Sequence, residues 1–204
     1  MTSPIRLAQD VLDFWIGDAR HSAEAARARN KLWFVKSDLT DANIRNRYSG
    51  LPDLLMSGVA MNWANDGAAG RLAAIIALDQ FPRNMFRGSS RAFDYDGLAL
   101  KLTKAGIQAG HDTSLTEVER KFFYLPLEHS EDPADQVLCV QMYEQLCGDC
   151  RSEFKDICES ALDYARQHKA VIDQFGRYPH RNSVLGRAST PEEVAFIETP
   201  GSGF

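Results

Sequence analysis

Apolar residues recur at helical rather than strand spacing along nearly the whole chain. Side chains three or four positions apart share a helix face, whereas a strand alternates at every second residue. No stretch alternates clearly enough to predict a strand. The pattern predicts about nine or ten helices, which begin near Pro4, Ala23, Asp38, Pro52, Leu72, Asp94, Thr116, Pro133, Ser152 and Thr190.

Local start signals support several of these helices. Ser3-Pro4 and Asp132-Pro133 each combine a capping residue with a first-turn proline. Thr116-Glu-Val-Glu119 and Thr190-Pro-Glu-Glu193 have capping-box spacing. Pro126 is predicted to end or kink its helix, and a tail at about 198–204 is predicted to be poorly ordered.

Residues 72–78, Leu-Ala-Ala-Ile-Ile-Ala-Leu, are apolar without a break. A helix that is apolar on every side is a buried one. A strand is the competing interpretation of so short a run, but the alanine pairs and helical neighbours favour a helix. Pro82 is predicted to stop it.

Short connections between many helices predict an all-α fold, an array of antiparallel helical hairpins. No linker rich in Gly, Ser or Pro divides the chain. We therefore expect a single all-helical domain over residues 1–204. No clean 34-residue repeat is visible.

Composition narrows the class of protein. The chain has 204 residues, 44% of them apolar and 25% charged, which is typical of a globular protein. A net charge of −5 argues against nucleic-acid binding, which needs a basic surface. No apolar run approaches the roughly 20 residues of a membrane span, and no secretory signal is recognisable. These features predict a cytoplasmic protein without a membrane partner.

Four cysteines lie close together in sequence, at positions 139, 147, 150 and 158. Cys147 and Cys150 have zinc-knuckle spacing, so a four-thiolate zinc site is conceivable. Reduced cysteines on and around two helices are the favoured interpretation, because free cysteine is an ordinary small core residue. No metal and no cofactor is predicted.

Charges are unevenly distributed along the chain. Two stretches, 80–93 and 174–191, contain arginine but no acid and no lysine, whereas 122–150 contains acids but no Lys or Arg. Arginine offers a planar fork that binds carboxylate or phosphate through two hydrogen bonds, which lysine cannot do. Arginine-only stretches therefore indicate either buried ion pairs or recognition of an anion.

The same triplet, an aspartate followed by Gln-Phe, marks the start of both basic stretches. Asp79-Gln-Phe-Pro-Arg-Asn84 is echoed by Asp173-Gln-Phe, with Pro, Arg and Asn following after an insertion of Gly176-Arg-Tyr178. We expect both to be helix ends pinned by Asp–Arg–Asn networks, because an unpaired buried carboxylate is very costly. If they converge, they form one polar pocket. The predicted ligand-binding residues are Asp79, Gln80, Arg83, Asn84, Arg87, Arg177, Arg181, Asn182 and Arg187.

A third segment carries groups capable of acid–base chemistry. Glu128 and His129 are adjacent, Glu131 follows, and His180 lies between Pro179 and Arg181. These four residues are the predicted catalytic set, with a carboxylate orienting a histidine. The alternative is that Glu128 and Glu131 pair with the arginines as structural clamps. His168 lies on an apolar helical stripe, which favours a core position.

Three segments together resemble a known family. They are residues 78–87 (LDQFPRNMFR), 123–132 (FYLPLEHSED) and 175–187 (FGRYPHRNSVLGR), and residues 12–15 and 189–193 extend the likeness to nearly the whole chain. The sequence resembles the bacterial family called domain of unknown function 924. This resemblance implies an all-helical fold similar to the tetratricopeptide superhelices, and it implies no biochemical activity.

Three functional hypotheses follow from these observations. In the first, the protein binds an anionic group of a small molecule or of an acidic peptide or protein, because helical arrays form concave binding surfaces. In the second, it is an enzyme that acts on a small anionic metabolite through His129 or His180. In the third, the same polar residues only support the fold. The sequence leaves the oligomeric state open.

Overall fold

The computed structural model describes residues 4–199, and these residues are all-helical. They contain no strand, which confirms the predicted fold class. The α-helical segments are α1 (Pro4–Trp15), α2 (Ala23–Phe34), α3 (Asp38–Tyr48), α4 (Leu51–Leu54), α5 (Ala60–Asn65), α6 (Ala68–Met85), α7 (Asp96–Gln108), α8 (Glu117–Glu128), α9 (Pro133–Asp149), α10 (Lys155–Phe175) and α11 (Pro191–Glu198).

The helix predicted from Pro52 is interrupted in the structure. A π-helical turn at Leu55–Val59 joins α4 to α5, and Gly58 within it has a φ of 110°. If this stretch is counted as one helix, residues 4–199 contain ten helices. Short 3₁₀ turns connect several of the others, at Gly17–Arg20, Ser90–Phe93, Asp112–Ser114, Ser152–Phe154 and Pro179–Arg181.

Most predicted helix starts lie within two residues of the observed ones, but α6 begins at Ala68 rather than near Leu72, and a 3₁₀ turn precedes α10. Thr116 with Glu119, and Thr190 with Glu193, form the two predicted capping boxes. The Oδ1 atom of Asp132 accepts a hydrogen bond of 2.8 Å from the backbone N–H of Ala134 at the start of α9. The proposed cap Ser3 lies outside the described residues.

Helix α6 forms the centre of the fold. Every residue from Gly70 to Pro82 is buried, and α1, α3, α5, α7 and α8 all contact this helix. Gly70 allows α5 to approach closely, since a Cβ atom there would lie 2.2 Å from the carbonyl oxygen of Trp63. The buried helix predicted from the apolar run is therefore confirmed.

Pro82 was assigned too strong a local effect, and the kink predicted at Pro126 stays a prediction. Pro82 does not end its helix, because α6 continues to Met85, and Pro126 lies within α8, which continues to Glu128. A proline inside a helix removes one backbone hydrogen bond and costs about 3 kcal/mol or more. Both prolines are buried, so packing of the helix against its neighbours offsets the local cost.

An aromatic cluster fills the middle of the core. The rings of Trp15 and Phe81 meet edge to face at 5.6 Å, and Trp33 and Phe122 do so at 4.9 Å. The indole N–H of Trp33 donates to the backbone carbonyl of Trp15 over 2.8 Å, which satisfies its polar atom. This core extends from Ala8 to Ala165.

A smaller apolar cluster holds the C-terminal segment. Val171, Ile172 and Tyr178 are buried there, with Phe175 and Phe196 packed against them. This cluster fastens the turn that follows α10, and α11, to the rest of the fold.

Several architectural expectations remain predictions. Contacts between consecutive helices, as in α5–α6 and α9–α10, agree with stacked helical pairs, while α1 also contacts α6, which is distant in sequence. The tetratricopeptide-like superhelix and the single domain are not decided by these contacts. The poorly ordered tail, about 198–204, lies almost wholly outside the described residues. Among residues 4–199, no helix has the length and apolar content needed to cross a bilayer.

Candidate functional site

A cavity of about 880 Å³ opens beside the C-terminal end of α6. Its wall combines the end of α2, the end of α6, one side of α8, one side of α10 and the turn around Arg181. A smaller pocket of about 350 Å³ lies near Asp13 and Arg20, which face each other at 3.9 Å. The larger cavity contains most of the residues that sequence patterns singled out.

A buried carboxylate and an imidazole meet at the base of this cavity. Asp79 is fully buried in α6, and its Oδ1 atom lies 2.7 Å from Nδ1 of His129, which caps the end of α8. A carboxylate accepts a hydrogen bond, so Nδ1 carries the proton and Nε2 is left as the basic nitrogen. Gln80 donates to the other carboxylate oxygen of Asp79 over 2.6 Å.

Arg83 is held rigidly beside this pair. One Nη atom lies 3.3 Å from Oδ1 of Asp79 and donates to the backbone carbonyl of that residue over 2.6 Å. Both Nη atoms bind the carboxylate of Asp96 at 2.8 and 2.9 Å. This two-pronged contact fixes the guanidinium plane at the cavity wall.

Local charges set the protonation states of the pair. Burial alone raises the pKa of Asp79, but Arg83, His129 and the hydrogen bonds to the carboxylate hold it well below its ordinary value. Burial, and then the charge of Arg83, lower the pKa of His129, against the opposing effect of Asp79. Asp79 is therefore ionised at neutral pH and His129 is neutral, so Nε2 can accept a proton.

Glu128 lines the same cavity, and its carboxyl group is protonated where that of Asp79 is ionised. Burial raises the pKa of this carboxyl group to about 8, and the charge of Asp79 adds to the rise while Lys121 opposes it. One carboxyl oxygen lies 3.5 Å from Nδ1 of His168. Glu128 is thus a protonated acid at neutral pH, next in sequence to a neutral histidine.

Arg181 is a buried cation without an acidic partner. The residue is 7% exposed, its guanidinium Nε has no hydrogen-bond partner, and within the described range 4–199 no ion pair joins its side chain to an acid. Its guanidinium carbon lies 4.6 Å from the ring centre of Tyr178 and 4.8 Å from that of Phe93. Burial and the nearby charge of Arg83 lower the pKa of Arg181, and the charges of Asp96 and Glu131, neither of which forms an ion pair with it, oppose that shift.

The cavity wall as a whole is cationic. Six of its residues are lysine or arginine, and Glu128 is the one acid among the described residues that line it. Glu128 is protonated at neutral pH and does not offset them, whereas Arg83 and Arg87 are paired with Asp79, Asp96 and Asp41, which do not line the cavity. The six basic residues are Lys31, Lys36, Arg83, Arg87, Lys121 and Arg181.

Comparison with known proteins places this chain in a family. The model of a family described as "Bacterial protein of unknown function (DUF924)" matches residues 11–201. The chain belongs to this family. It is also similar to a solved structure of a protein of unknown function from Agrobacterium tumefaciens, at 33% identity over 96% of this chain and 99% of that one, with a TM-score of 0.80. No curated protein matches the chain.

In this DUF924 protein, residues from distant parts of the sequence meet at one cavity. The wall includes four predicted ligand-binding residues of the first basic stretch and one of the second, together with three of the four predicted catalytic residues. These are Gln80, Arg83, Asn84, Arg87 and Arg181, with Glu128, His129 and His180. Asp79 lies just beneath the wall and reaches it through His129.

The rest of the second basic stretch serves the C-terminal segment instead. Arg177 binds Glu193 at 2.6 and 2.8 Å, and Asn182 binds the same carboxylate at 3.1 Å. Arg187 binds Glu131 at 2.7 and 3.0 Å. These three residue pairs tie α11 and the preceding turn to the end of α8, and none of the four predicted residues Arg177, Asn182, Arg187 and Glu131 lines the cavity.

The second Asp-Gln-Phe does not repeat the role of the first. Asp173 is exposed and pairs with Lys169 one turn earlier, whereas Asp79 is fully buried. The same triplet has different surroundings in the two helices, because α6 is enclosed by other helices whereas one side of α10 faces solvent. Gly176 does end α10 in the left-handed conformation, with a φ of 68°, as its position predicts.

The expected Asp–Arg–Asn network at the first copy also differs in its partners. Asn84 and Arg87 both bind Asp41 of α3, at distances of 2.9 Å. Asp41 and Asp96 were not identified from the sequence. Asp41 lies 43 residues from Asn84, and Asp96 lies 13 residues from Arg83. No local sequence pattern marks such pairings.

His168 was assigned to the core, and it also borders the cavity. The side chain is 7% exposed, and its Nδ1 atom donates to the backbone carbonyl of Tyr164 over 2.9 Å. Burial lowers its pKa to about 3, and burial together with Arg181 lowers the pKa of His180 to about 4. Both imidazoles are therefore neutral at pH 7.

The four cysteines are free thiols. Cys139, Cys147 and Cys158 are buried, and Cys150 is half-buried. Burial raises the pKa of Cys139, Cys147 and Cys158, so these three are protonated at neutral pH. Within residues 4–199, no group of three or more His, Cys, Asp or Glu side chains is arranged to hold a metal ion.

Proposed function

We propose that the cavity beside α6 binds an anionic ligand, with the anionic group at Arg181. The observation that carries this proposal is the lack of any acidic partner for a guanidinium that is 7% exposed. A buried charge is normally paired, because leaving it uncompensated is costly. A carboxylate or phosphate in the cavity supplies the missing charge.

The surrounding wall supports recognition of the same kind of group. Arg83 is held in place by Asp79 and Asp96, so little entropy is lost when a ligand meets it. Lys121 adds positive charge, and Glu128, the one acid among the described residues of the wall, is neutral at pH 7. The volume of about 880 Å³ is in the range of small-molecule sites.

Replacing Arg181 by methionine tests the proposal. We expect Arg181→Met to abolish binding of inorganic phosphate, citrate and acidic peptides in calorimetric titrations, while the melting temperature stays equal or rises. Removing an uncompensated buried charge does not destabilise the fold, and methionine keeps the contacts with Phe93 and Tyr178. The matched control is Arg91→Met, because Arg91 is exposed, stacks on Phe86 and does not itself line the cavity.

Two outcomes contradict the proposal. In one, Arg181→Met binds these anions as tightly as the wild type. In the other, the variant melts at a clearly lower temperature and none of the anions shifts the melting temperature of the wild type, which leaves Arg181 with a purely structural role.

The contact between Asp79 and His129 supports a second candidate function, acid–base catalysis on the bound anion. A histidine held at Nδ1 by a buried carboxylate presents a basic Nε2, and Glu128 offers a protonated acid in the same wall. His180 is a further neutral imidazole in that wall. The arrangement suits proton removal from a ligand that the arginines hold.

A direct test follows each binding anion by NMR in D₂O. With the wild type, we expect signals of a new product, or loss of ligand proton signals as deuterium replaces the protons. With His129→Gln, which should still bind the anion, we expect the ligand spectra to stay unchanged. Unchanged spectra for every anion that the wild type binds contradict a catalytic role, and the cavity then functions in binding alone.

A cytoplasmic location remains part of this proposal. Small anionic metabolites are abundant there, and the net charge of −5 argues against nucleic acid as the partner. An acidic peptide is the alternative ligand, and the titrations above separate it from a small anion.

A further inference from the structure

Three exposed apolar side chains border the cationic cavity. Phe34 is 53% exposed, Val35 is 59% exposed and Tyr164 is 52% exposed, and all three line the cavity. Single exposed apolar residues are ordinary on protein surfaces. Three of them beside one concave site, from two elements far apart in sequence, are a more informative arrangement.

The Phe34 ring is held firmly in its exposed position. It stacks on Phe122, with ring centres 6.4 Å apart and an angle of 4° between the planes. The ammonium group of Lys121 lies 4.4 Å from the centre of the Phe34 ring. These contacts hold the Phe34 ring in place, and Lys121 connects it to the cationic wall.

Apolar groups also surround the unpaired arginine. Phe93 and Tyr178 flank the guanidinium of Arg181, and Val184 lines the cavity one turn beyond it. A water molecule occupies about 30 Å³ of liquid, and a carboxylate or phosphate is only a few times larger. An anionic group alone therefore fills a small part of about 880 Å³.

We infer that the ligand is an amphipathic anion, with a carboxylate or phosphate at Arg181 and a hydrocarbon or aromatic body against Phe34, Val35 and Tyr164. The inference rests on the proposed anion-binding function. Charge complementarity selects the head of the ligand, and the exposed apolar wall selects its body. Both features lie in one cavity, so one small molecule satisfies them together.

Straight-chain carboxylates of two to ten carbons test this inference by calorimetric titration below their micellar concentrations. We expect Kd to fall roughly threefold to fourfold for each added methylene that enters the cavity, and then to level off. Neutral alcohols of the same length should bind more weakly. A parallel series of alkyl phosphates decides which head group the site prefers.

Variants assign the gain in affinity to the apolar wall. Val35→Ser and Tyr164→Ser should reduce the gain per methylene while acetate binds as before, and Arg181→Met should abolish binding at every length. Met56→Ser is the matched control, because Met56 is 51% exposed but does not line the cavity. It should leave the whole series unchanged.

The possible failures can be told apart. If acetate binds as tightly as octanoate and Arg181→Met abolishes both, the amphipathic ligand is wrong and anion binding stands. If no carboxylate or phosphate of any length binds, the proposed function fails as well. If the serine variants change the sedimentation coefficient but not the chain-length dependence, the apolar surface is a contact between copies of the chain, and the inference is overturned.

Discussion

The carboxylate of Asp79 lies 2.7 Å from the imidazole of His129, although 50 residues separate them in sequence. The pair joins the central helix α6 to the end of α8 at the base of the cavity. Arg83 and Gln80 complete the surroundings of the carboxylate. This relationship couples the stability of the fold to the chemistry of the candidate site.

Asp79→Asn should destabilise the protein by about 2 kcal/mol at neutral pH, because hydrogen bonds to a buried charge are lost while Arg83 keeps Asp96. The pKa of Asp79 is lowered in the folded state, so its contribution is present above its ordinary pKa of 3.8 and is lost as pH falls. Urea unfolding at pH 7 measures the difference.

The second Asp-Gln-Phe provides the matched control for that measurement. Asp173→Asn removes an exposed carboxylate whose partner is Lys169, so its effect should stay within about 0.5 kcal/mol. Equal losses for the two variants contradict the different roles assigned to the two aspartates.

Glu128→Gln should stabilise the protein as pH rises. The pKa of Glu128 is about 8 in the folded state against an ordinary 4.5, so the folded state keeps a proton that the unfolded chain releases. Stability contributed by the neutral acid is therefore lost as pH rises from about 4.5 to about 8. The variant should gain a few kcal/mol on the wild type near pH 8 and little near pH 4.5. Urea unfolding measures the free energy of unfolding of both proteins at several pH values. A difference between variant and wild type that stays constant from pH 4.5 to pH 8 contradicts the prediction.

Glu193→Ala should release α11 without affecting the cavity. Glu193 closes the capping box of α11 and also binds Arg177 and Asn182. We expect faster amide hydrogen exchange across residues 191–198 and unchanged anion affinity, because Arg181 contacts Phe93 and Tyr178 and not Glu193. A loss of binding with undisturbed exchange contradicts the separation between this clamp and the site.

Gly106→Ala should destabilise the packing of α7 against α8 by about 1–3 kcal/mol. An added Cβ lies 2.4 Å from the ring of Phe123 and 2.5 Å from Cδ of Arg71, and Phe123 is fully buried. Gly97, also in α7, has nothing within 4 Å of an added Cβ. Gly97→Ala should therefore stabilise by about 0.5–1 kcal/mol. Urea unfolding of both variants tests whether the steric contact of an added Cβ atom, rather than helix propensity, determines the change in stability.

Much of the fold could be predicted because the signals are local. The capping boxes at Thr116 and Thr190 lie within four residues each, and the buried α6 appears as an apolar run. Pro82 was wrongly assigned as a helix end, because its cost is local while the packing that offsets it comes from distant residues.

The candidate site was predicted in its residue types but not in its pairings. Arg83, Arg87 and Arg181 look alike in sequence, but their partners differ. Arg83 binds Asp79 and Asp96, Arg87 binds Asp41, and Arg181 forms no ion pair with an acid among the described residues. The partner of a charged residue depends on which helices pack together, and the sequence near that residue does not indicate this.

By itself, the sequence determined where most helices begin, which helix is buried and that arginines without lysines carry the positive charge of two segments. Only the tertiary structure decided that Asp79 meets His129, that Asp173 of the second Asp-Gln-Phe faces solvent, and that Arg181 has no ion-pair partner. The physical reason is range. Helix caps and apolar periodicity act over a few residues, whereas ion pairing and burial depend on contacts between segments far apart in the chain.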